Sequence, residues 1–263
     1  MRIALLQMDV AIGEPEVNRA RALQMMEEAV NGPEKPDVLV LPEMWNTGYA
    51  LEIIGDIADR EEEPTSGVMS AFARSHGVNV LAGSIANVPA DRGGAVRNTA
   101  LLFNREGRRT ADYSKLHLFR LMDEEKFLEE GDRVGTAVLD GESVGLMICY
   151  DIRFPELSRK LALSGAKVLF VPAEWPMPRL HHWRTLLMAR AIENQMYVVA
   201  CNRVGTSRGT EFFGHSMIIS PWGEVLAEGG EEEAILTASL DLDEVPRVRS
   251  TIPVFEDRRP EHY

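Results

Sequence analysis

Short and almost uninterrupted apolar runs recur along the chain, and they constrain its fold more than any other feature. Eight of these runs are rich in β-favouring residues and lie at 3–7, 38–41, 78–82, 99–103, 144–148, 168–171, 198–201 and 216–219. Because many of them are continuous and do not alternate with polar residues, both faces of those strands are predicted to be buried.

The segments between the runs predict helices and hairpins. Residues 16–30 and 180–195 carry apolar side chains at helical spacing. Residues 97–115 and 214–230 each contain a strand, a turn with glycine and a second strand, which is the pattern of a β-hairpin. Together these segments predict an α/β fold of two packed sheets with helices outside. The 263 residues show no obvious linker, so one domain is predicted.

Composition and charge limit the possible functions. Hydrophobic residues make up 45% and charged residues 26%, as in an ordinary soluble protein, and no apolar run approaches the roughly 20 residues of a membrane span. The net charge of −13 argues against a nucleic-acid or anionic-membrane surface, so an anionic substrate needs a local cluster of cations. Only two cysteines occur, and the N-terminus lacks a signal-peptide pattern, so a cytoplasmic location is expected.

Cys149 is the first candidate for chemistry. In VGLMICYDIRFPEL, residues 144–157, an apolar strand runs directly into Cys149, and a helix is predicted after it. A nucleophile at such a strand-to-helix turn is exposed at the top of the sheet, and the following N–H groups face the place where an oxyanion forms. The alternative is a small buried core residue, and this segment alone leaves both open. Cys201, which ends a hydrophobic run, is predicted to be core filler.

Glu43 and Lys115 are the second and third candidates. Glu43 follows an apolar strand beside Trp45, so desolvation is predicted to raise its proton affinity, which suits a general base near neutral pH. Lys115 lies among apolar residues such as Tyr113 and Leu116, and a partly buried ammonium would stabilise an oxyanion and lower the thiol's proton affinity. The alternatives are an ordinary loop glutamate and a strand-end lysine.

Other chemistries have less support. None of the six histidines forms a HExxH motif and Cys201 has no CxxC partner, so no metal site is expected. A papain-type pair of Cys149 with His117 or His215 stays open. Phosphate-binding glycine motifs do not occur, so no nucleotide cofactor is expected.

Taken in chain order, these motifs resemble the nitrilase, or carbon–nitrogen hydrolase, superfamily. The resemblance covers nearly the whole chain. It is carried by LPE at 41–43, KLHLF at 115–119, CYDIRFPEL at 149–157, AEWPMPRLHHW at 173–183, ARAIENQMYVVACNRVG at 189–205 and GHSMIISPWGEVLAE at 214–228.

The resemblance implies a four-layer α-β-β-α sandwich that pairs into a homodimer, and further assembly of dimers into a higher oligomer stays open. The C-terminal tail at 245–263 is expected to contribute to the dimer interface. The family's chemistry needs no cofactor. Its glutamate takes the thiol proton, its cysteine attacks a carbon bonded to nitrogen, and the resulting acyl-enzyme is hydrolysed.

In this sequence the resemblance assigns the oxyanion to Lys115 and the amide of Tyr150. It also implies a second catalytic glutamate within DEEKFLEEG, residues 123–131. We take Glu124 for that role, with Glu125 as the alternative.

The residues after the nucleophile resemble those of the Nit-type omega-amidases, which cleave the terminal amide of 2-oxoglutaramate and similar 2-oxo acids. Residues 173–183 and 252–263 resemble a bacterial member that is associated with methionine salvage. An N-carbamoyl amide hydrolase and a nitrilase share the same catalytic residues and stay as alternatives, as does a catalytically idle scaffold of the same fold. A papain-like protease is a further rival, but the order of the glutamate, lysine and cysteine is wrong for it.

A 2-oxo acid monoamide carries a carboxylate at the end remote from the scissile bond, and this group needs an arginine. Arg153 is the nearest candidate in sequence, followed by Arg179 and Arg203, and Trp175 is a further substrate-binding candidate. The alternative for Arg153 is a structural ion pair with Asp151 or Glu156.

Overall fold

The computed structural model describes residues 1–90 and 93–262. Asp91, Arg92 and Tyr263, the last residue of the predicted C-terminal tail, lie outside the described residues.

Strands occur along the whole of the described chain. In chain order they are β1 Arg2–Gln7, β2 Val38–Val40, β3 Asp59–Arg60, β4 Asn79–Val88, β5 Arg97–Phe103, β6 Arg109–Ser114, β7 Gly135–Leu139, β8 Glu142–Leu146, β9 Val168–Ala173, β10 Tyr197–Asn202, β11 Val204–Ser207, β12 Thr210–Phe213, β13 Met217–Ile219, β14 Val225–Glu228 and β15 Ala234–Ser239.

Helices connect many of the strands. They are α1 Pro15–Val30, α2 Ile54–Ile57, α3 Thr65–His76, α4 Glu124–Phe127, α5 Pro155–Leu163, α6 Leu180–Asn194 and α7 Glu244–Thr251, with short 3₁₀ turns at Leu51–Ile53, Arg120–Met122, Cys149–Arg153 and Pro260–His262.

The strands form two large sheets and one separate hairpin. The first sheet has the order β15-β1-β2-β4-β5-β6, with β3 beside β4, and the second has the order β14-β13-β10-β9-β8-β7. Strands β11 and β12 form the hairpin. The pairs β1–β2, β2–β4, β8–β9 and β9–β10 are parallel. Their connections run through helices, as parallel connections generally require.

The alternating side chains of β1 show how the layers are arranged. Ile3 and Leu5 belong to the core between the two sheets, together with residues of β8 and β9. Ala4 and Leu6 point the other way, into a second core under α1 and α3. Helices α5 and α6 cover the outer face of the second sheet, where Leu161 packs against the backbone of β8. The predicted α-β-β-α sandwich is therefore confirmed.

Both predicted hairpins are present. Strands β5 and β6 pair antiparallel, as do β13 and β14. The turn of the first hairpin is closed by a hydrogen bond from the Gly107 N–H to the Asn104 carbonyl at 2.8 Å, and Gly107 has a φ of +74°, which favours glycine. In the described chain, no helix is both long and apolar enough to cross a membrane.

Candidate active site

Four predicted catalytic residues meet in one buried cluster. Glu43 and Glu124 are fully buried, and the exposed fractions of Lys115 and Cys149 are only 1% and 6%. Glu43 follows β2, Lys115 follows β6 directly, and Cys149 lies just after β8. Parallel strands bring the residues at their carboxyl ends to one edge of a sheet. Because the two sheets face each other, residues more than a hundred positions apart come into contact.

The backbone turn of Cys149 is unusual. Its φ is +45°, in the left-handed region that residues with a Cβ rarely adopt. Asp151 holds this turn in place, because its Oδ2 accepts hydrogen bonds from the Ile148 N–H at 2.9 Å and the Tyr113 hydroxyl at 2.7 Å. Its Oδ1 accepts the N–H of His117 at 3.1 Å. Asp151 therefore fastens the turn to the end of β6.

A network of charged and polar groups surrounds Lys115. Its Nζ donates to Glu43 Oε1 at 2.8 Å and to Glu124 Oε1 at 2.7 Å. The Tyr49 hydroxyl lies 2.6 Å from Glu124 Oε1 and 2.9 Å from Glu43 Oε1, so its single proton serves one carboxylate at a time. Asn98 Nδ2 donates to Glu43 Oε1 at 2.8 Å. These contacts fix both carboxylates relative to the ammonium.

The prediction that the proton affinity of Glu43 is raised is wrong, because its pKa is lowered. Burial is the largest influence on the Glu43 pKa and does act upwards. Several contacts together outweigh burial and lower the pKa. They are the charge of Lys115 and its hydrogen bond, the Glu174 N–H that donates to Oε2 at 2.7 Å, and a hydrogen-bonding interaction with Cys149. The pKa of Glu43 therefore lies below its usual value, and the group is a carboxylate at neutral pH.

The pKa of Cys149 also differs from the prediction, which had Lys115 lowering it. Burial raises the thiol pKa most, and the charge of Glu43 raises it further. Lys115 acts in the predicted direction but does not prevail, so the pKa of Cys149 lies well above its usual value. The resting pair is thus a neutral thiol beside an ionised carboxylate.

Glu124, and not Glu125, joins the cluster. Glu124 is fully buried and its Oε2 accepts the Phe119 N–H at 3.0 Å, whereas Glu125 is exposed. Burial raises the pKa of Glu124, Lys115 opposes this, and the negative charge of Glu43 adds to it.

A narrow pocket opens above Cys149, and we call it the catalytic pocket. Its walls are Tyr49, Phe119, Met122, Glu124, Cys149, Tyr150, Arg153, Glu174, Trp175, Pro176 and Arg179. The Arg153 guanidinium lies 4.8 Å from the centroid of the Trp175 ring, and that of Arg179 lies 5.5 Å from the Phe119 ring. Burial lowers the pKa of Arg153, and the nearby charge of Arg179 lowers it further. The pocket therefore contains two neighbouring cations.

The three candidate arginines differ in position. Among the described residues, Arg153 forms neither of the alternative ion pairs, with Asp151 or with Glu156, and the Asp151 oxygens are taken by the contacts around the turn. The Arg153 Nη2 atom lies 3.3 Å from His182 Nδ1. Arg203 is fully buried behind the catalytic pocket, where its Nη2 donates to Asp9 Oδ1 at 2.7 Å. Arg153 and Arg179 are thus the candidates that face the pocket.

His117, His215 and Cys201 are not among the residues that line the catalytic pocket. His117 Nδ1 lies 2.7 Å from Asp151 Oδ1, and His215 Nδ1 lies 2.7 Å from Glu228 Oε1, so both rings have carboxylate partners. Cys201 is fully buried in the core between the sheets, as predicted, and burial raises its pKa. Among residues 1–90 and 93–262, no group of three or more His, Cys, Asp or Glu is arranged to hold a metal ion.

Sequence reasoning missed four residues of the site: Tyr49, Asn98, Asp151 and Glu174. Asp151 entered only as a possible partner of Arg153, although it organises the nucleophile's turn. Glu174 could have been found, because it follows the buried strand β9 as Glu43 follows β2. Tyr49 and Asn98 carry no such signal, since only the fold shows that their polar groups point at Glu43.

Comparison with known proteins places this geometry in a family. Residues 2–250 match the model of the carbon-nitrogen hydrolase family. The chain is 47% identical to a 2-oxoglutaramate amidase of Bacillus subtilis (strain 168), over 99% of this chain and 98% of the relative. It is 32% identical to the omega-amidase NIT2 of Homo sapiens, over 100% of this chain and 96% of the relative.

Solved structures of related proteins support the same family assignment. Nit3 of Saccharomyces cerevisiae, described as a member of branch 10 of the nitrilase superfamily, superposes with a TM-score of 0.91 at 29% identity, covering 98% of this chain and 96% of Nit3. A mutant amidase from Nesterenkonia sp. AN1, described with a covalent addition at its active site cysteine, gives a TM-score of 0.85 at 26% identity, covering 99% of this chain and 95% of that chain.

The fold, the buried cluster and these matches define an enzyme that hydrolyses carbon–nitrogen bonds. The chain belongs to the carbon–nitrogen hydrolase family, the nitrilase superfamily, and within it to the Nit-type branch of amidases.

Proposed function

We propose that the protein is an omega-amidase that hydrolyses the terminal amide of a 2-oxo acid monoamide, with 2-oxoglutaramate as the favoured substrate. The products are the 2-oxo diacid and ammonia. The observation that carries the proposal is that one narrow pocket is lined by both the Cys149 thiol and two guanidinium groups. The amidase relative that is 47% identical along almost its whole length supports the choice of substrate.

In the first step Cys149 acts as the nucleophile and Glu43 as the general base. Because Glu43 is ionised and the thiol is neutral at rest, the proton passes to Glu43 as the sulfur attacks the amide carbon. The negative charge that develops on the amide oxygen is held by Lys115 and by the N–H of Tyr150.

Lys115 suits this role because it is charged. Burial is the largest influence on the Lys115 pKa and acts downwards, but the charges of Glu124 and Glu43 outweigh it and keep the pKa above its usual value. Glu124 thus serves mainly to position the ammonium and keep it protonated.

The remaining steps complete the hydrolysis. Glu43 returns its proton to the amide nitrogen, the C–N bond breaks, and ammonia leaves a thioester on Cys149. Water then attacks the thioester carbon while Glu43 takes a proton from it. The C–S bond breaks, the sulfur receives that proton, and the acid is released. The acetamide moiety of fluoroacetamide that is described as covalently added to the active site cysteine of the Nesterenkonia amidase supports a nucleophilic role for Cys149.

Arg153 and Arg179 are proposed to bind the carboxylate at the remote end of the substrate. With a net charge of −13 the protein as a whole repels anions, so these neighbouring cations supply the local attraction. Trp175 fixes the Arg153 guanidinium by lying against it, and Tyr150 forms another part of the wall.

An ammonia-release screen tests the substrate proposal. The panel is 2-oxoglutaramate, 2-oxosuccinamate, glutamine, asparagine, N-carbamoyl amino acids and simple nitriles. The highest kcat/KM is expected for 2-oxoglutaramate, and faster turnover of a nitrile or an N-carbamoyl compound would contradict the proposal.

The variant Arg153→Lys tests the carboxylate site. It should raise KM for 2-oxoglutaramate much more than for propionamide, which has no carboxylate. The difference should correspond to a loss of about 2–3 kcal/mol in binding free energy. An equal loss on both substrates would instead indicate a damaged pocket wall.

We also propose that the enzyme acts as a homodimer. Apolar side chains lie exposed on α5, on α6 and after α7: Leu163 is 48%, Ile192 53% and Ile252 49% exposed. A two-fold partner that covers the two helices and the C-terminal tail would bury them.

The proposed setting is the cytoplasm, in methionine salvage, where glutamine-dependent transamination leaves 2-oxoglutaramate. The two free thiols suit a reducing compartment. Cells that lack the enzyme should accumulate 2-oxoglutaramate, and an unchanged level would contradict this setting.

A further inference from the structure

The carboxyl group of Glu174 lies beside the catalytic cluster but takes part in none of the proposed catalytic steps. Its side chain is fully buried, and within the described part of the chain neither of its oxygens makes a hydrogen bond. Its backbone N–H donates to Glu43 Oε2 at 2.7 Å, which fixes the residue next to the general base. Arg203 Nη1, 3.5 Å from Glu174 Oε2, makes no hydrogen bond within the described residues either.

Glu174 also separates two cavities. On one side is the catalytic pocket. On the other is a second cavity, which we call the side cavity, lined mainly by residues of the 3₁₀ turn at Leu51–Ile53, of the segment 121–127 and of the β11–β12 hairpin. Tyr49, Met122 and Glu174 line both cavities and thus form the wall between them.

Polar groups continue through the side cavity towards its rim. Ser207 lines the cavity, and its buried Oγ makes no hydrogen bond among the residues that the structure describes. At the rim, Arg208 forms an ion pair with Glu52. Glu52, Ser207, Arg208 and Glu174 therefore line the same cavity.

A bound water molecule would satisfy these polar groups. An unsatisfied buried polar group costs about 1–3 kcal/mol, and buried waters typically make about 3 hydrogen bonds to such groups. Burial raises the pKa of Glu174 to about 8, against the charge of Arg203 and with the charge of Glu43. At neutral pH the carboxyl group thus carries a proton for most of the time and offers water both a donor and an acceptor.

We propose that Glu174 binds the water that hydrolyses the acyl-enzyme, and that the side cavity supplies this water while the acyl chain fills the catalytic pocket. The proposal rests on the acyl-enzyme chemistry of the proposed function. The water oxygen forms the new bond to the thioester carbon, Glu43 takes one water proton and passes it to the departing sulfur, and Glu174 holds the other hydrogen without changing its own protonation.

Rapid-quench kinetics with 2-oxoglutaramate separates the two steps. The early release of ammonia reports acylation, and the formation of 2-oxoglutarate reports deacylation. In Glu174→Leu, acylation should stay within about twofold of the wild-type rate, whereas deacylation should slow by at least about thirtyfold, which corresponds to the loss of one buried hydrogen bond of about 2 kcal/mol. In Glu174→Gln, whose carboxamide both donates and accepts, deacylation should stay within about threefold.

A second pair of variants tests the supply route without touching the catalytic cluster. Ser207→Phe narrows the side cavity and should slow deacylation at least about fivefold with normal acylation. Thr206→Phe, at an exposed neighbouring position on the same strand, is the matched control and should behave as the wild type.

The outcomes are distinguishable. Normal deacylation in Glu174→Leu overturns the water-binding role, as does an equal slowing of both steps. Normal deacylation in Ser207→Phe overturns the supply route. If no acyl-enzyme forms in the wild type, the proposed function itself is wrong, whatever the variants do.

Discussion

Glu174 should make the folded protein less stable as the pH rises. Its pKa is raised from the ordinary 4.5 to about 8, so the folded chain binds this proton more tightly than the unfolded chain does. The stability it contributes is therefore fully present below pH 4.5 and is lost progressively until the pH passes about 8. At about 1.4 kcal/mol per pH unit, the free energy of unfolding that is lost amounts to ~5 kcal/mol above pH 8 and ~3 kcal/mol at pH 7.

The variant Glu174→Gln removes this titration and keeps the shape of the side chain. Urea unfolding should show it to be more stable than the wild type by ~5 kcal/mol near pH 9, by ~3 kcal/mol near pH 7, and by little near pH 4.5. Glu125→Gln is the control, since Glu125 is exposed and its loss should have a small effect at every pH. A stability difference for Glu174→Gln that does not change with pH would refute the reasoning, because the pKa of Glu174 would then be the same in the folded and the unfolded chain.

The remaining predictions concern the nucleophile, its partners and the assembly. Cys149→Ala should lower kcat by several orders of magnitude while Cys201→Ala keeps it nearly intact, and equal losses in two folded variants would contradict the thiol assignment. Glu43→Gln and Lys115→Met should each suppress acylation by about 3 kcal/mol or more in rapid mixing, and a wild-type acylation rate in either would require its role to be reassigned. Light scattering should report a homodimer at micromolar concentration, and a fully active monomer would contradict the proposed interface.

The fold could be predicted from the sequence because its main determinant is local. Continuous apolar runs are typical of strands that are covered on both faces, and the structure places the predicted runs in the two sheets between layers of helix. The positions of Glu43 and Cys149 followed from the same pattern, since each comes just after such a strand.

The electrostatics of the site could not be predicted in this way. The neighbours of Glu43 suggest a raised pKa, yet Lys115, 72 positions away, and the N–H of Glu174, 131 positions away, reverse the direction. The unsatisfied carboxyl group of Glu174 is equally invisible in the sequence, because it depends on how the fold places Arg203 behind it. Such effects depend on contacts between distant segments, which only the assembled sheets define.

The acyl-enzyme on Cys149 is the central claim, and mass spectrometry of the quenched enzyme tests it most directly. After mixing with 2-oxoglutaramate and rapid acid quench, the peptide that contains Cys149 should carry the mass of a 2-oxoglutaryl group. The peptide that contains Cys201 should be unmodified, and Cys149→Ala should carry no adduct. An adduct on Cys201, or full turnover in Cys149→Ala, would contradict the account.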